Sequence, residues 1–418
     1  MVYVESQEGE PLMPCKNVIA RLLLKENRAK VKRKTPFTIK LKHETTNYTQ
    51  ELTLGIDTGS SKVGSAVYNN ENGDVIYVSE IEIRNDVSKR MEKRAKYRRA
   101  RRNRKTRYRK PRFDNRKNST RKDRFPPTMV SKINSHLKEI RFVKSILPIK
   151  NIVLETGNFD PHKLKNPDVK SWGYQKGILY GYSNKREFAL KRDNYKCQHC
   201  KGKSKDSKLE VHHIVFRSND GSDEPENLIT LCKTCHDKLH DGKIKLKGGR
   251  AKKRLKHATQ MNSIRTQLLK LIPEAIETFG YITKENRWSL GLLKTHYSDA
   301  ITIACCGLPI RNTISKILFK KCINIGDYQQ TKGVRSQKKI PTGKIQGIRK
   351  FDKVRYLGNE YFVKGRMSSG YCILMDIQGN KVKFNNAPRG MKTPKMSHCR
   401  RMQARDSWIM IENHIVSA

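Results

Sequence analysis

Acidic residues are scarce in this chain: 39 Asp and Glu stand against 89 Lys and Arg, a formal net charge of +50 over 418 residues. The excess is not confined to one tail. Lys89 to Arg124 holds twenty Lys and Arg and three acids, so it supplies +17, and the other 382 residues supply +33. A surface this basic implies a large polyanion that touches many faces, nucleic acid first, with steeply salt-dependent binding. A membrane is the rival polyanion, but it asks for an amphipathic helix with an apolar face, and none is legible. Long apolar runs are missing as well. None approaches the ~18 residues of a membrane span, and "MVYVESQEGEPLMP" lacks the basic and apolar regions of a secretory signal, so neither is expected. There is no Gly-x-x-x-x-Gly-Lys-Ser/Thr phosphate loop and no internal repeat. The ten cysteines are not spaced as a disulfide framework. Four form two Cys-x-x-Cys pairs, and Cys15, Cys305, Cys306, Cys322, Cys372 and Cys399 are scattered and read as packed, reduced thiols.

The length suggests about two to four domains. Near the start, "EPLMPC" precedes a helix-like "KNVIARLLLKENRAKVKR" and a β-prone "PFTIKLK". Then "ELTLGID", "KVGSAVYNN" and "DVIYVSEIEIR" read as three strands joined by Gly- and Asn-rich turns, an α+β pattern once helices follow. The basic stretch "SKRMEKRAKYRRARRNRKTRYRK" has helix-forming composition and no Gly or Pro until Pro111. Charge on every face leaves it no apolar stripe, so an outside polyanion is needed to order it. Beyond it, "SKINSHLKEIRFVKSIL" predicts a helix and "IKNIVLETGNF" a buried strand. The basic "RAKKRLKHATQMNSIRTQLLKLIPEAIETFG" predicts helix, and the region from about Lys320 predicts a small β-barrel module.

The strongest signal lies between residues 187 and 245. Cys197 and Cys200, with Cys232 and Cys235, form two pairs 31 residues apart, the donor set of a tetrahedral structural zinc site. Between and after them, "EVHHIVF" places His212 and His213 on a strand, facing opposite sides, so they divide roles. His236 and His240 stand at i, i+4 on a helix, a spacing suited to a divalent ion. Asn227 falls on a loop between strand and helix, where its amide can hold the loop in shape.

A second set of acids ends apolar strands. Asp57 closes "LTLGID", Glu155 closes "NIVLE", and "THYSDAITIACC" puts His296 and Asp299 on one face of a helix start. Three acids from separate elements could hold two Mg²⁺ ions for phosphodiester hydrolysis. Each match alone is weak, since a strand ending in Asp-x-Gly also opens the phosphate turn of actin-like ATPases.

The Cys/His unit closely resembles the HNH endonucleases, with their ββα-metal fold and zinc knuckles. That resemblance implies His213 as general base and His212 and His236 as ligands of a catalytic Mg²⁺ or Mn²⁺ ion, with His240 a further ligand. It gives Asn227 a place in the catalytic set, and a neutral imidazole suits the base's task. The ordered acids resemble the RuvC branch of the RNase H-like nucleases, with Asp57, Glu155 and Asp299 as Mg²⁺ or Mn²⁺ ligands and His296 near the water or metal. The interleaving of these pieces resembles the IscB nucleases, relatives of the CRISPR type II effectors. "RRARR" at Arg98–Arg102 matches the RRXRR motif, and "PLMPC" resembles the family's amino-terminal PLMP module. Thr58 stands where many members have Pro.

The implied architecture is α+β and multidomain. It comprises a PLMP-like module (1–49), RuvC-like parts (50–88, 125–186 with a linker, 246–322), an arginine-rich bridge helix (89–124), an inserted HNH domain (187–245) and a β-rich tail (323–418). The tail would contact a target-adjacent motif. The implied function is RNA-guided cleavage of double-stranded DNA by a cytoplasmic, monomeric ribonucleoprotein with no membrane partner. Its transposon-encoded guide RNA (ωRNA) would lie against Arg94, Arg98, Arg99, Arg101, Arg102, Arg104, Arg107 and Arg109, with zinc at the Cys₄ site. Two alternatives stay open: a protein-only HNH homing endonuclease, and a catalytically inactive nucleic-acid-binding protein.

Overall fold

The computed structural model of the chain describes residues 1–102, 125–160, 163–164, 167–216, 221, 224–246, 255–324, 328–330, 337–339 and 343–414. The chain forms two compact units, Met1–Gly157 with Gln260–Ala418, and Asn158–Thr259. No helix among the described residues is long and apolar enough to cross a membrane.

The first unit opens with a four-stranded sheet of β1 (Val2–Glu5), β2 (Pro11–Cys15), β3 (Ala29–Lys34) and β4 (Phe37–Leu41), in the order β2-β1-β4-β3. Helix α1 (Asn17–Lys25) lies between β2 and β3 in sequence. The helix expected through "RAKVKR" stops at Lys25 instead. Asn27 turns the chain at a φ of 59°, and Ala29–Lys34 gains more by pairing with β4 than by extending a basic helix.

The main sheet begins with three antiparallel strands, β5 (Leu52–Asp57), β6 (Lys62–Asn69) and β7 (Asp74–Glu82), where the alternation placed them. After α2 (Val87–Arg102) and α3 (Pro127–Lys144), β8 (Ile149–Thr156) lies parallel to β5. The second unit contributes α4 (Lys185–Arg192), the antiparallel pair β9 (Leu209–His213) and β10 (Leu228–Cys232), and α5 (Lys233–His240). The chain continues through α6 (Lys256–Leu271) to β11 (Ile276–Phe279), parallel to β8. That strand falls in a stretch read as helix; its few residues carry no alternation of their own and pair because β8 offers an open edge. Helices α7 (Gly280–Ser289) and α8 (His296–Cys305) follow, then β12 (Asn312–Thr313) and β13 (Lys316–Cys322).

The tail carries a short pair, β14 (Tyr328–Gln330) and β15 (Gln337–Lys339), then β16 (Lys353–Tyr356), β17 (Asn359–Arg366), β18 (Cys372–Met375), β19 (Arg400–Gln403) and β20 (Trp408–His414). Four of these strands make an open antiparallel sheet, β18-β17-β16-β19, rather than a closed barrel, around Val354, Tyr356, Val363 and Leu374. The last strand, β20, leaves that module and pairs with β13 at the edge of the main sheet, because Trp408 and Met410 are apolar enough to enter its core. The main sheet thus runs β11-β8-β5-β6-β7-β13-β20, with β12 beside β7.

Both faces of this sheet are covered, and strand alternation sorts the side chains between them. Leu52, Leu54, Ile56, Ile152 and Leu154 face a core shared with Ile133, Ile140 and Val143 of α3 and Ile264 and Leu268 of α6. Ala66, Tyr68 and Val78 face the other side, against Ala300, Ile301 and Ala304 of α8. Burying each large side chain of this kind contributes roughly 1.5–3 kcal/mol. The first core also encloses an ion pair with no exposed surface. Lys320 Nζ lies 2.5 Å from Glu139 Oε2, and Ser65, Tyr77 and Ser79 donate to Glu139 Oε1 at 2.7, 2.7 and 2.8 Å. Removing either charge would strand the other in apolar surroundings, so the pair ties α3 to β13.

Candidate functional site

By the same alternation, Asp57 shares the face of Gly55, and Glu155 shares the face of Val153, so both acids point away from the α3 core. The two are register partners across the parallel β5–β8 pair. Helix α8 supplies the rest. Its cap is Thr295, whose hydroxyl accepts from the Ser298 N–H at 3.0 Å, and this starts the helix at His296 with Asp299 in its first turn. His296 Nδ1 lies 2.6 Å from Asp57 Oδ2. That approach depends on two glycines. A Cβ on Gly64 would sit 1.9 Å from the His296 carbonyl oxygen, and one on Gly55 would sit 2.4 Å from the Ala304 nitrogen. Only glycine lets α8 lie this close to the sheet.

Burial pushes the Asp57 and Asp299 carboxyls above the ordinary range, against the opposing pull of His296 on the first and Arg287 on the second. Burial likewise pushes Glu155 up to about 7, with Asp57 and Asp299 adding to the rise and the Thr283 hydroxyl opposing it. Glu155 Oε2 is buried without a hydrogen-bond partner among the described residues. A cation beside acids crowded in this way favours their ionised forms, and the donor set fits a hard divalent ion. Asp57 is nevertheless drawn to His296, and Asp299 to Arg287 Nε at 2.8 Å, so the trio is more open than the two clusters below.

In the second unit the four cysteines converge, with the Cys197, Cys200, Cys232 and Cys235 sulfurs all within 4.8 Å of one another. Thiolate donors at that spacing fit a zinc ion. The β9–β10 pair sets Ile229 opposite His212 and Leu228 opposite His213. His212 meets His236 and His240 of α5, with ring centroids 4.9 and 5.1 Å away and ligand nitrogens of all three within 4.8 Å. Phe216 closes one side, its ring centroid 5.1 Å from that of His212. His212 Nε2 is buried without a hydrogen-bond partner among the described residues. Burial, helped by the neighbouring imidazoles, pulls its pKa down to about 4, which keeps it in the neutral, metal-ligating form. His213 lines an open cleft with Lys185, Arg186, Lys208 and His236.

Asn227 sits in the connection between β9 and β10 rather than between strand and helix. Its Oδ1 accepts from the Val215 N–H at 2.8 Å and its Nδ2 donates to the Val215 carbonyl at 3.0 Å. Of the arginines singled out in the sequence, Arg94, Arg98 and Arg99 are exposed on α2, which has no buried residue from Val87 to Ala100. Arg94 lines a cleft with Arg84, Arg90 and Lys138. The α2 backbone runs through Arg101 and Arg102, while Arg104, Arg107, Arg109 and the remainder of 103–124 lie outside the described residues.

Several contributors carried no sequence signal. Arg287 and Thr283 are buried on α7. Glu210 Oε2 lies 3.0 Å from His236 Nδ1 and orients that ring, and the i, i+2 spacing of Glu210 and His212 on one strand was the hint available.

Comparison with known proteins finds two family matches in the chain. Residues 2–177 match the RRXRR protein family, and residues 197–242 match the HNH endonuclease family. Anaredoxin of Nostoc sp. is 37% identical over 54 residues, which are 13% of this chain and 68% of that protein. The type IV methyl-directed restriction enzyme EcoKMcrA of Escherichia coli is 33% identical over 82 residues, 19% of this chain and 25% of that enzyme.

Proposed function

We propose, from the premise that this chain belongs to the IscB family by its RRXRR and HNH endonuclease domains, that it is an RNA-guided DNA endonuclease. The observation that carries the reading is a pair of centres, each with a buried ligand atom unpartnered among the described residues, on a chain whose basic helix has no buried residue from Val87 to Ala100. The core strands β7-β6-β5-β8-β11 stand in the spatial order 3-2-1-4-5, counting from β5 along the main sheet, with the first three antiparallel and the rest parallel to the first. In this proposal these strands form the RNase H-like, RuvC-type core, split by the bridge helix and by the HNH domain. The domain limits given above are part of the proposal, as are the site roles that follow.

In the HNH domain His213 acts as general base toward a water, while His212 and His236, with His240 beside them, hold a Mg²⁺ or Mn²⁺ ion. Asn227 fixes the loop that follows β9. At the second centre Asp57, Glu155 and Asp299 hold the same kind of ion, and His296 orients Asp57. Such ions, when bound, stabilise charge on the scissile phosphate. The HNH centre cuts the guide-paired strand and the RuvC-like centre the displaced one. The arginines of α2 neutralise guide phosphates, and the tail module contacts the target-adjacent motif. The likeness to a restriction enzyme favours a second reading, an HNH nuclease that needs no RNA.

Expression with native flanking DNA separates the two. A structured RNA is expected to co-purify, and cutting is expected to follow its guide segment; cutting that survives RNase and ignores a guide swap sinks the first reading. His213→Ala is expected to slow cutting of the guide-paired strand alone, by about a hundredfold or more. Asp57→Ala is expected to stop cutting of the other strand alone. If either change stops both cuts, the two-centre scheme fails.

A further inference from the structure

Helix α7 has two unlike faces, and the reading above uses one of them. Thr283 and Arg287 point inward, 4% and 6% exposed, toward Glu155 and Asp299. Tyr281, Lys284 and Trp288 stand at i, i+3 and i+7 and so share the opposite face. Tyr281 and Trp288 are 65% and 64% exposed, two large aromatic rings ~10 Å apart along the axis. The face is also organised. Lys284 Nζ sits 4.4 Å over the Trp288 ring, and the Tyr281 ring lies within 4° of parallel to that of Phe279, with centroids 6.2 Å apart. Gly280, between those two aromatics, abuts the acids: a Cβ there would lie 3.2 Å from Glu155 Oε1. The helix therefore runs along the carboxylate centre, with Gly280 beside Glu155 and Arg287 on Asp299, and carries the aromatic stripe on its outward side.

We propose that this outward face of α7 is a stacking track for single-stranded DNA, on which Tyr281 and Trp288 each take a nucleobase of the strand whose phosphate enters the Asp57–Glu155–Asp299 centre. The inference rests on the reading of that centre as a nuclease site. A duplex hides the faces of its bases, so exposed rings of this kind suit an unpaired strand. Stacking on an aromatic ring accepts any base, which fits an enzyme whose target sequence is chosen elsewhere. Lys284 places a cation against the Trp288 ring, within reach of a backbone phosphate, and Lys294, on the connection to α8, adds positive potential at Glu155 and Asp299. Glu285 is the acid on the exposed face and sets its limit, since the track then draws on stacking more than on charge.

The test uses the full chain with its co-purified RNA and a matched DNA target carrying 2-aminopurine beside the cut in the strand not paired with the guide. Tyr281→Ala and Trp288→Ala are each expected to relieve the quenching of that base and to slow cutting of that strand about ten-fold. The guide-paired strand should be cut at the unaltered rate. Tyr281→Phe and Trp288→Phe keep a ring and are expected to restore both readouts. Alanine variants that keep their circular dichroism, quenching and cutting rate overturn the track, and so does an equal slowing of both strands. Asp57→Ala, run in parallel, separates the failures. If it leaves that strand's cutting intact, the nuclease reading of the centre has failed; if it stops cutting while the alanines change nothing, only the track has.

Discussion

The carboxylate centre joins Asp57 and His296 across 239 positions of sequence and holds them between a many-stranded sheet and α8, whereas the histidine centre is built from residues between Glu210 and His240. The first has a large apolar core beneath it, with Leu54, Ile56, Val143, Leu154 and Leu268 fully buried or nearly so. The second has Leu231 and the cysteines for a core, with few other buried apolar side chains among the described residues. A unit that small needs a staple, and the four thiolates are placed to provide one through zinc. One centre therefore rests on packing, while the four-cysteine cluster beside the other fits a zinc ion that would brace it, and their weaknesses should differ accordingly.

Zinc removal should separate them most. Structural zinc stabilises comparable sites by ~10–16 kcal/mol, so a chelator, or Cys232→Ser, is expected to unfold the Cys/His unit. Hydrogen exchange should then accelerate across β9, β10 and α5 while β5 to β8 stay protected; loss of protection in both would break the comparison. In the other direction, Gly64→Ala drives a Cβ into the His296 carbonyl. It is expected to destabilise the sheet unit by about 3 kcal/mol or more and to abolish the Asp57-dependent cut, with the His213-dependent cut surviving.

Acid should tell next. His136 is fully buried on α3, its Nδ1 2.8 Å from the Lys132 carbonyl, and burial pulls its pKa down to about 4. An unfolded histidine near 6.5 takes a proton first, so the stability this group permits is complete above that pH and is lost as pH falls toward 4. The loss is on the order of 3 kcal/mol, and urea unfolding of His136→Gln between pH 7 and 4.5 should show a shallower slope than the native chain. The smallest effect is expected of Asn227→Ala, which gives up both bonds to Val215. It should cost about 1–2 kcal/mol, measured by denaturant midpoint, and slow the His213-dependent cut while sparing the other.

The same contrast explains how far each centre could be read before the fold was known. His212, His213, His236 and the Cys232–Cys235 pair lie on one short hairpin and helix, with Cys197 and Cys200 in the turns just before it, so alternation and i, i+4 spacing translate directly into geometry. The long strands β5 to β8 and the start of α8 were equally legible, because Asp57 and Glu155 end uninterrupted apolar runs. The strands Ala29–Lys34 and Ile276–Phe279 were not. Each is held by a neighbouring strand, and neither has a pattern of its own.

The sequence by itself determined what chemistry is present: a zinc-type thiolate quartet, a histidine set, strand-end acids and a charge of +50 that demands a polyanion. Tertiary structure decided how that chemistry is aimed. It paired Asp57 with His296 through a close approach that glycine alone permits, and it set Arg287 on Asp299. It also hid Lys320 against Glu139 in the core and left Tyr281 and Trp288 outside. Residue type and local spacing cannot report such choices. A charge or a ring is buried or exposed according to which distant element lies over it, and that is settled only when the sheet and its helices meet.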